Sequence, residues 1–180
     1  MRKIILLSSL LSIFSSYSLF AQRKNVIKIN VLSPLVATFN IQYERALTSK
    51  GSLQIGLAVL GYSANDEKKT VFSGVRFTPE YRFYLSDRDA PSGFYIAPFL
   101  RITGLGIENN VKEKAEYSSI GSGVTIGYQW LIGNRWALNT FVGPDYNVGS
   151  VKTNFREYNP NTDVFGGIGI RAGLTFGIAF

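Results

Sequence analysis

Eight ionisable residues fall on alternating positions of otherwise apolar segments: Lys28, Glu44, Arg76, Glu80, Arg82, Arg101, Asp145 and Arg171. Arg76, Glu80 and Arg82 are separated by even steps, so an extended chain sends all three side chains to one face. Carboxylates and cations gathered in this way could pass protons, line a narrow pore or form a catalytic cluster. The plainer reading is an ionic plug that fixes strand register, because isolated buried ions are costly and pair with one another. Catalysis finds little support. The chain has no histidine and no cysteine, which excludes Ser-His and Cys-His nucleophiles and histidine metal sites. Glu44, Glu80 and Asp145 share their face with five cations, which hold them as carboxylates and make them poor proton donors. Gly104-Leu105-Gly106 and Gly121-Ser122-Gly123 precede no helix, so neither reads as a phosphate loop. Inward glycines instead make room for Arg and aromatic side chains. No catalytic, cofactor-binding or metal-binding residue is expected, and no cofactor.

Strands must position these charges. The last segment, VFGGIGIRAGLTFGIAF over 164–180, sets Ile168, Ile170, Leu174, Phe176, Ile178 and Phe180 against Gly167, Gly169, Arg171, Gly173, Thr175 and Gly177. That is period two, with one apolar face and one small or polar face. Seven earlier segments read the same way: 26–32, 35–45, 52–62, 71–85, 93–106, 117–131 and 136–148. The second of these puts Leu35, Ala37, Phe39, Ile41 and Tyr43 outward and Thr38, Asn40, Gln42 and Glu44 inward. A barrel of eight strands has an interior only wide enough for side chains to fill, so its charges must pair or meet trapped water. In a soluble barrel the outward faces would be polar. Here they are the apolar ones. The expected fold is all-β: an eight-stranded antiparallel up-and-down transmembrane β-barrel.

The connections agree with that architecture. Short turns are read at Thr48-Ser49-Lys50-Gly51, at 86–92 and at Ile132-Gly133-Asn134-Arg135. Longer, more charged loops are read at 63–70, 107–116 and 149–163, and only Ser33-Pro34 breaks the alternation of short with long. Outer-membrane barrels place the long loops outside the cell. Phe155 and Tyr158 in the last loop could touch an extracellular ligand or protein, or simply pack on the loop itself. Trp130 and Trp136 flank one short turn, and Phe176 and Phe180 approach the same end, as an interfacial aromatic girdle would.

The amino terminus reads as a signal peptide over 1–21. Arg2 and Lys3 precede an apolar core, and Ala21 offers a small residue before Gln22. The barrel domain is then 22–180, and the absence of cysteine argues against a lipid-modified amino terminus. Net charge is +7, or +5 once Arg2 and Lys3 are removed, without a basic run or stripe, so nucleic acid is not an expected partner.

NVIKINVLSPL at 25–35, IQYERAL at 41–47, PEYRFYL at 79–85 and GFYIAPFLR at 93–101 resemble small eight-stranded outer-membrane barrels of the OmpA and OmpX sort. More narrowly, they are similar to a family of outer-membrane proteins catalogued only as a domain of unknown function. The resemblance implies residence in the outer membrane of a Gram-negative cell, contact with its lipid, and insertion by the outer-membrane assembly machinery through the terminal aromatic Phe180. It brings no catalytic residues. No peptidoglycan-binding domain is read after the barrel, which weakens a wall-tethering role. The expected function is structural or surface-interacting, and not enzymatic. A narrow channel or transport component is the alternative, which filling by Phe99, Phe141 and Arg171 should obstruct; a lipid-modifying enzyme is third.

Overall fold

Where apolar residues alternate with polar or small ones, the extended chain buries one face and exposes the other. The computed structural model describes residues 23–63, 71–108, 114–133, 135–153 and 167–180. The expected signal peptide and the loop aromatics Phe155 and Tyr158 lie outside the described residues. The strands are β1 (Asn25–Asn30), β2 (Thr38–Ala46), β3 (Gly51–Ser63), β4 (Val71–Tyr84), β5 (Gly93–Glu108), β6 (Lys114–Ile132), β7 (Trp136–Thr153) and β8 (Gly167–Ala179). Each pairs antiparallel with the next, and β1 pairs with β8. The fold is a closed up-and-down barrel.

The period-two phase holds through every strand. Ile41, Leu57, Phe77, Ile102, Ile126 and Val142 are exposed on the outer face, while Glu44, Gln54, Glu80, Tyr95, Thr125 and Asn139 are buried inside. The strand ends differ more. β1 stops at Asn30, and β2 begins only at Thr38. Between them Ser33–Val36 forms a single 3-10 turn with Pro34 in its first turn, where a missing N–H costs nothing. Ala37 follows in the left-handed region, φ 49°. Leu35 and Ala37 are therefore not outward positions of a strand, as the alternation suggested.

At the same end β5, β6 and β7 run further than the sequence pattern predicts. Charged residues read as loop pair across strands instead, Glu108 opposite Lys114 and Glu116 opposite Lys152.

The termini close the wall at the short-turn end. Asn25 N–H donates to Phe180 O at 3.1 Å, and Phe180 N–H donates to Asn25 O at 2.8 Å. Inside, glycines face the bulky side chains. A Cβ on Gly123 would lie 2.8 Å from the Phe99 ring, one on Gly127 2.5 Å from the Tyr95 hydroxyl, and one on Gly173 2.5 Å from the Phe141 ring. Any larger residue there would displace an aromatic that fills the lumen.

Candidate functional site

All eight charged residues picked out by their spacing project into the barrel, brought together from β1, β2, β4, β5, β7 and β8. They form two groups that meet at Glu80. In the half nearer the short turns, Lys28, Glu44 and Arg82 are 0% exposed and Glu80 is 2% exposed. The Glu44 carboxylate accepts from four donors. Lys28 Nζ and Arg82 Nη1 (3.1 Å) reach Oε2, while Ser52 Oγ and Tyr84 OH reach Oε1, each at 2.6 Å. Arg82 Nε donates to Glu80 Oε1 at 2.7 Å, and its guanidinium lies 4.3 Å from the centre of the Tyr95 ring. The Gln129 carbonyl accepts from Lys28 Nζ at 2.6 Å and from Arg82 Nη1 at 3.1 Å, while its amide donates to Pro91 O at 2.6 Å. Tyr95 OH donates to Asn139 Oδ1 at 2.8 Å. Two cations and two carboxylates balance here, and polar side chains take up most of their remaining hydrogen-bonding capacity, Arg82 Nη2 being left without a partner.

Towards the long-loop end the balance changes. Arg171 donates to Glu80 Oε2 and lies between two rings, 4.4 Å from the centre of Phe99 and 4.7 Å from that of Phe141. Arg101 pairs with Asp145. Arg76 Nε donates to Thr103 Oγ1 at 3.3 Å, and among the described residues no carboxylate lies within ion-pair distance of it. Three guanidiniums thus stand with Asp145 and a share of Glu80. A cavity of about 310 Å³ opens among them, lined by Arg76, Arg101, Arg171, Asn40, Gln42 and Phe141.

Several members of the site carry no charge, and the pattern that places Gln129 and Asn139 on inward faces does not mark them as partners of the ions. Gln129, Ser52, Tyr84 and Asn139 complete the ion network, yet being uncharged they did not stand out. Their signal was the same period-two phase. At the short-turn end, Trp136 stacks on Phe176 with ring centres 5.4 Å apart, Trp130 packs against Tyr128 at 4.5 Å, and Phe180 is exposed at the end of the closing strand, bonded to Asn25. No curated protein and no solved structure matches the chain significantly. One family model does match, over residues 4–165, and on that match the chain belongs to the family described as protein of unknown function, DUF3575.

Proposed function

We propose that this protein is an outer-membrane β-barrel with a structural or surface-interaction role, its outer face in lipid and its long loops outside the cell. One observation carries the reading: the closed wall is apolar outside and ionic inside, the inverse of a soluble barrel. One residue from each strand in turn, Ile29, Ile41, Leu57, Val75, Ile102, Ile126, Val142 and Phe176, stands exposed around the circumference, far more apolar surface than a water-soluble monomer leaves uncovered. In the short-turn half every strand is paired on both sides, so its backbone groups are satisfied as a membrane interior demands. A narrow channel is the weaker reading, because the fully buried layer of Lys28, Glu44, Arg82 and Gln129 blocks the short-turn half of the lumen. Catalysis forms no part of the proposal.

Fractionation and planar-bilayer recording test it together. The protein is expected in the outer-membrane fraction, with gel mobility that shifts on heating, and with at most small, rare conductance. Recovery as a soluble protein would overturn the membrane reading. Steady channels wide enough for small sugars would favour transport.

A further inference from the structure

The barrel wall is complete only in its short-turn half. β8 pairs with β7 at twelve positions, from Trp136↔Ile178 to Asn147↔Gly167, but with β1 at only five, from Val26↔Ala179 to Asn30↔Thr175. One further bond, Val31 N–H to Leu174 O at 2.9 Å, ends the seam. Beyond it, among the described residues, the 167–173 edge of β8 has no strand beside it, since β1 has given way to the 3-10 turn. The exposure of the outer face records this gap. Ile168 and Ile170 are 87% and 80% exposed, against 42% for both Phe176 and Ile178 lower on the same strand.

The cavity reaches this gap. Its lining includes Ile170 and Ala172 from the outer face of β8, and Leu32 and Val36 from the β1–β2 connection. Its inner part presents Arg76, Arg101 and Arg171, and no carboxylate lines it. Charge within the lumen is unevenly distributed. Five cations face three carboxylates in the lumen, and most of that surplus of two sits around the cavity, where Asp145 and the one oxygen of Glu80 not taken by Arg82 oppose three arginines. Gln42 adds a neutral group: it is 2% exposed, lines the cavity, and its Oε1 has no partner.

We propose that this cavity binds a phosphate monoester carried by an amphiphile, with the phosphate among Arg76, Arg101 and Arg171 and the apolar part leaving through the gap between β8 and the 3-10 turn. A phosphate monoester carries roughly −1.5 to −2 charges at neutral pH, which matches the surplus. Planar guanidiniums bind phosphate oxygens bidentately, and the unpartnered Gln42 oxygen accepts from a hydroxyl on or beside the phosphate. Glu80 and Asp145 hold Arg171 and Arg101 in place, and the two rings against Arg171 fix its plane. The lateral route rests on the membrane reading above. At about 3.3 Å per residue and a tilt of about 40°, Ile170 stands roughly 20 Å above Ile178, near the outer margin of an apolar band about 25 Å tall. Lipid headgroups lie at that height.

Native mass spectrometry of the folded full chain, released from phosphatidylcholine bilayers doped with phosphatidic acid, tests the proposal. Titrations with inorganic phosphate and glycerol phosphate in detergent supply the soluble arm. Phosphatidic acid should be retained at one per chain and phosphatidylcholine should not. Arg76→Gln, which orphans no carboxylate, should weaken retention at least tenfold, whereas Lys152→Gln on the exposed face should leave it unchanged. Ala172→Trp, placed to block the gap, should abolish lipid retention while sparing inorganic phosphate. Lipid retention that survives Ala172→Trp would overturn the lateral route. Equal binding by wild type and Arg76→Gln in both arms, or no binding in either, would overturn the site. Failure to enter bilayers defeats the membrane reading separately, and the detergent titration with Arg76→Gln still decides whether the cavity takes phosphate.

Discussion

Glu80 stands at the junction of the two charged groups, one oxygen on Arg82 and the other on Arg171. Replacing it with Gln leaves both guanidiniums short of a counter-charge, and a buried pair broken on one side costs about 3–5 kcal/mol. Replacing Glu80 and Arg82 together should cost less than the sum of the single changes, since the two sit in one network. Urea unfolding in lipid vesicles measures this cycle, and additive costs would show that the two residues do not share an environment. Which residues face inward was legible from their phase. Which of them pair was not, because Arg82 reaches Glu44 and Arg171 reaches Glu80 across strands that only the barrel's register brings together. The structure adds Glu44 as an equal hub, with Ser52 and Tyr84 as donors that carry no charge to advertise them. It also leaves Arg76 bonded to Thr103 rather than to a carboxylate.

Strand existence and order were legible because each segment alternates cleanly over many residues. Strand ends were less so. The charged stretches at 107–116 and 149–153 resemble solvated loop, yet a charged residue offers the same backbone groups to a ladder as any other, and there the backbone of the described residues stays paired. At Ser33-Pro34 the error runs the other way, since a fixed proline φ and a following left-handed Ala37 replace strand with a 3-10 turn. β1 makes the two shortest seams in the wall, five residue pairs with β2 and five with β8, the latter reinforced by the bonds between Asn25 and Phe180. Phe180→Asp should therefore lower the folded yield several-fold, while Ser49→Asp, in an exposed short turn, should not. Heat-modifiable gel mobility reports both. Equal yields would remove any special role of the closing residue.

The whole molecule makes sense only if both faces are assigned correctly, and arginine placed on the outer face tests that assignment by height. Ile126 on β6 pairs with Ile96 and Val142, is exposed outside, and lies roughly 15 Å above Ile132 at about 3.3 Å per residue and a tilt of about 40°. In the proposed membrane that is close to the midplane, where an arginine facing lipid costs about 2–4 kcal/mol and finds no carboxylate to relieve it. Ile170 also faces outward but borders the gap near the outer margin, where the same change costs about 0–1 kcal/mol. The two isoleucines look alike in the alternating pattern; their heights in the barrel and the truncated pairing of β1 distinguish them. Ile126→Arg should thus destabilise the barrel in vesicles by at least 1 kcal/mol more than Ile170→Arg, a margin that follows from the depth dependence of the cost. In detergent, whose molecules rearrange around a charge, the difference should shrink. Equal and negligible costs at both sites in vesicles would mean that the apolar face does not meet lipid at all.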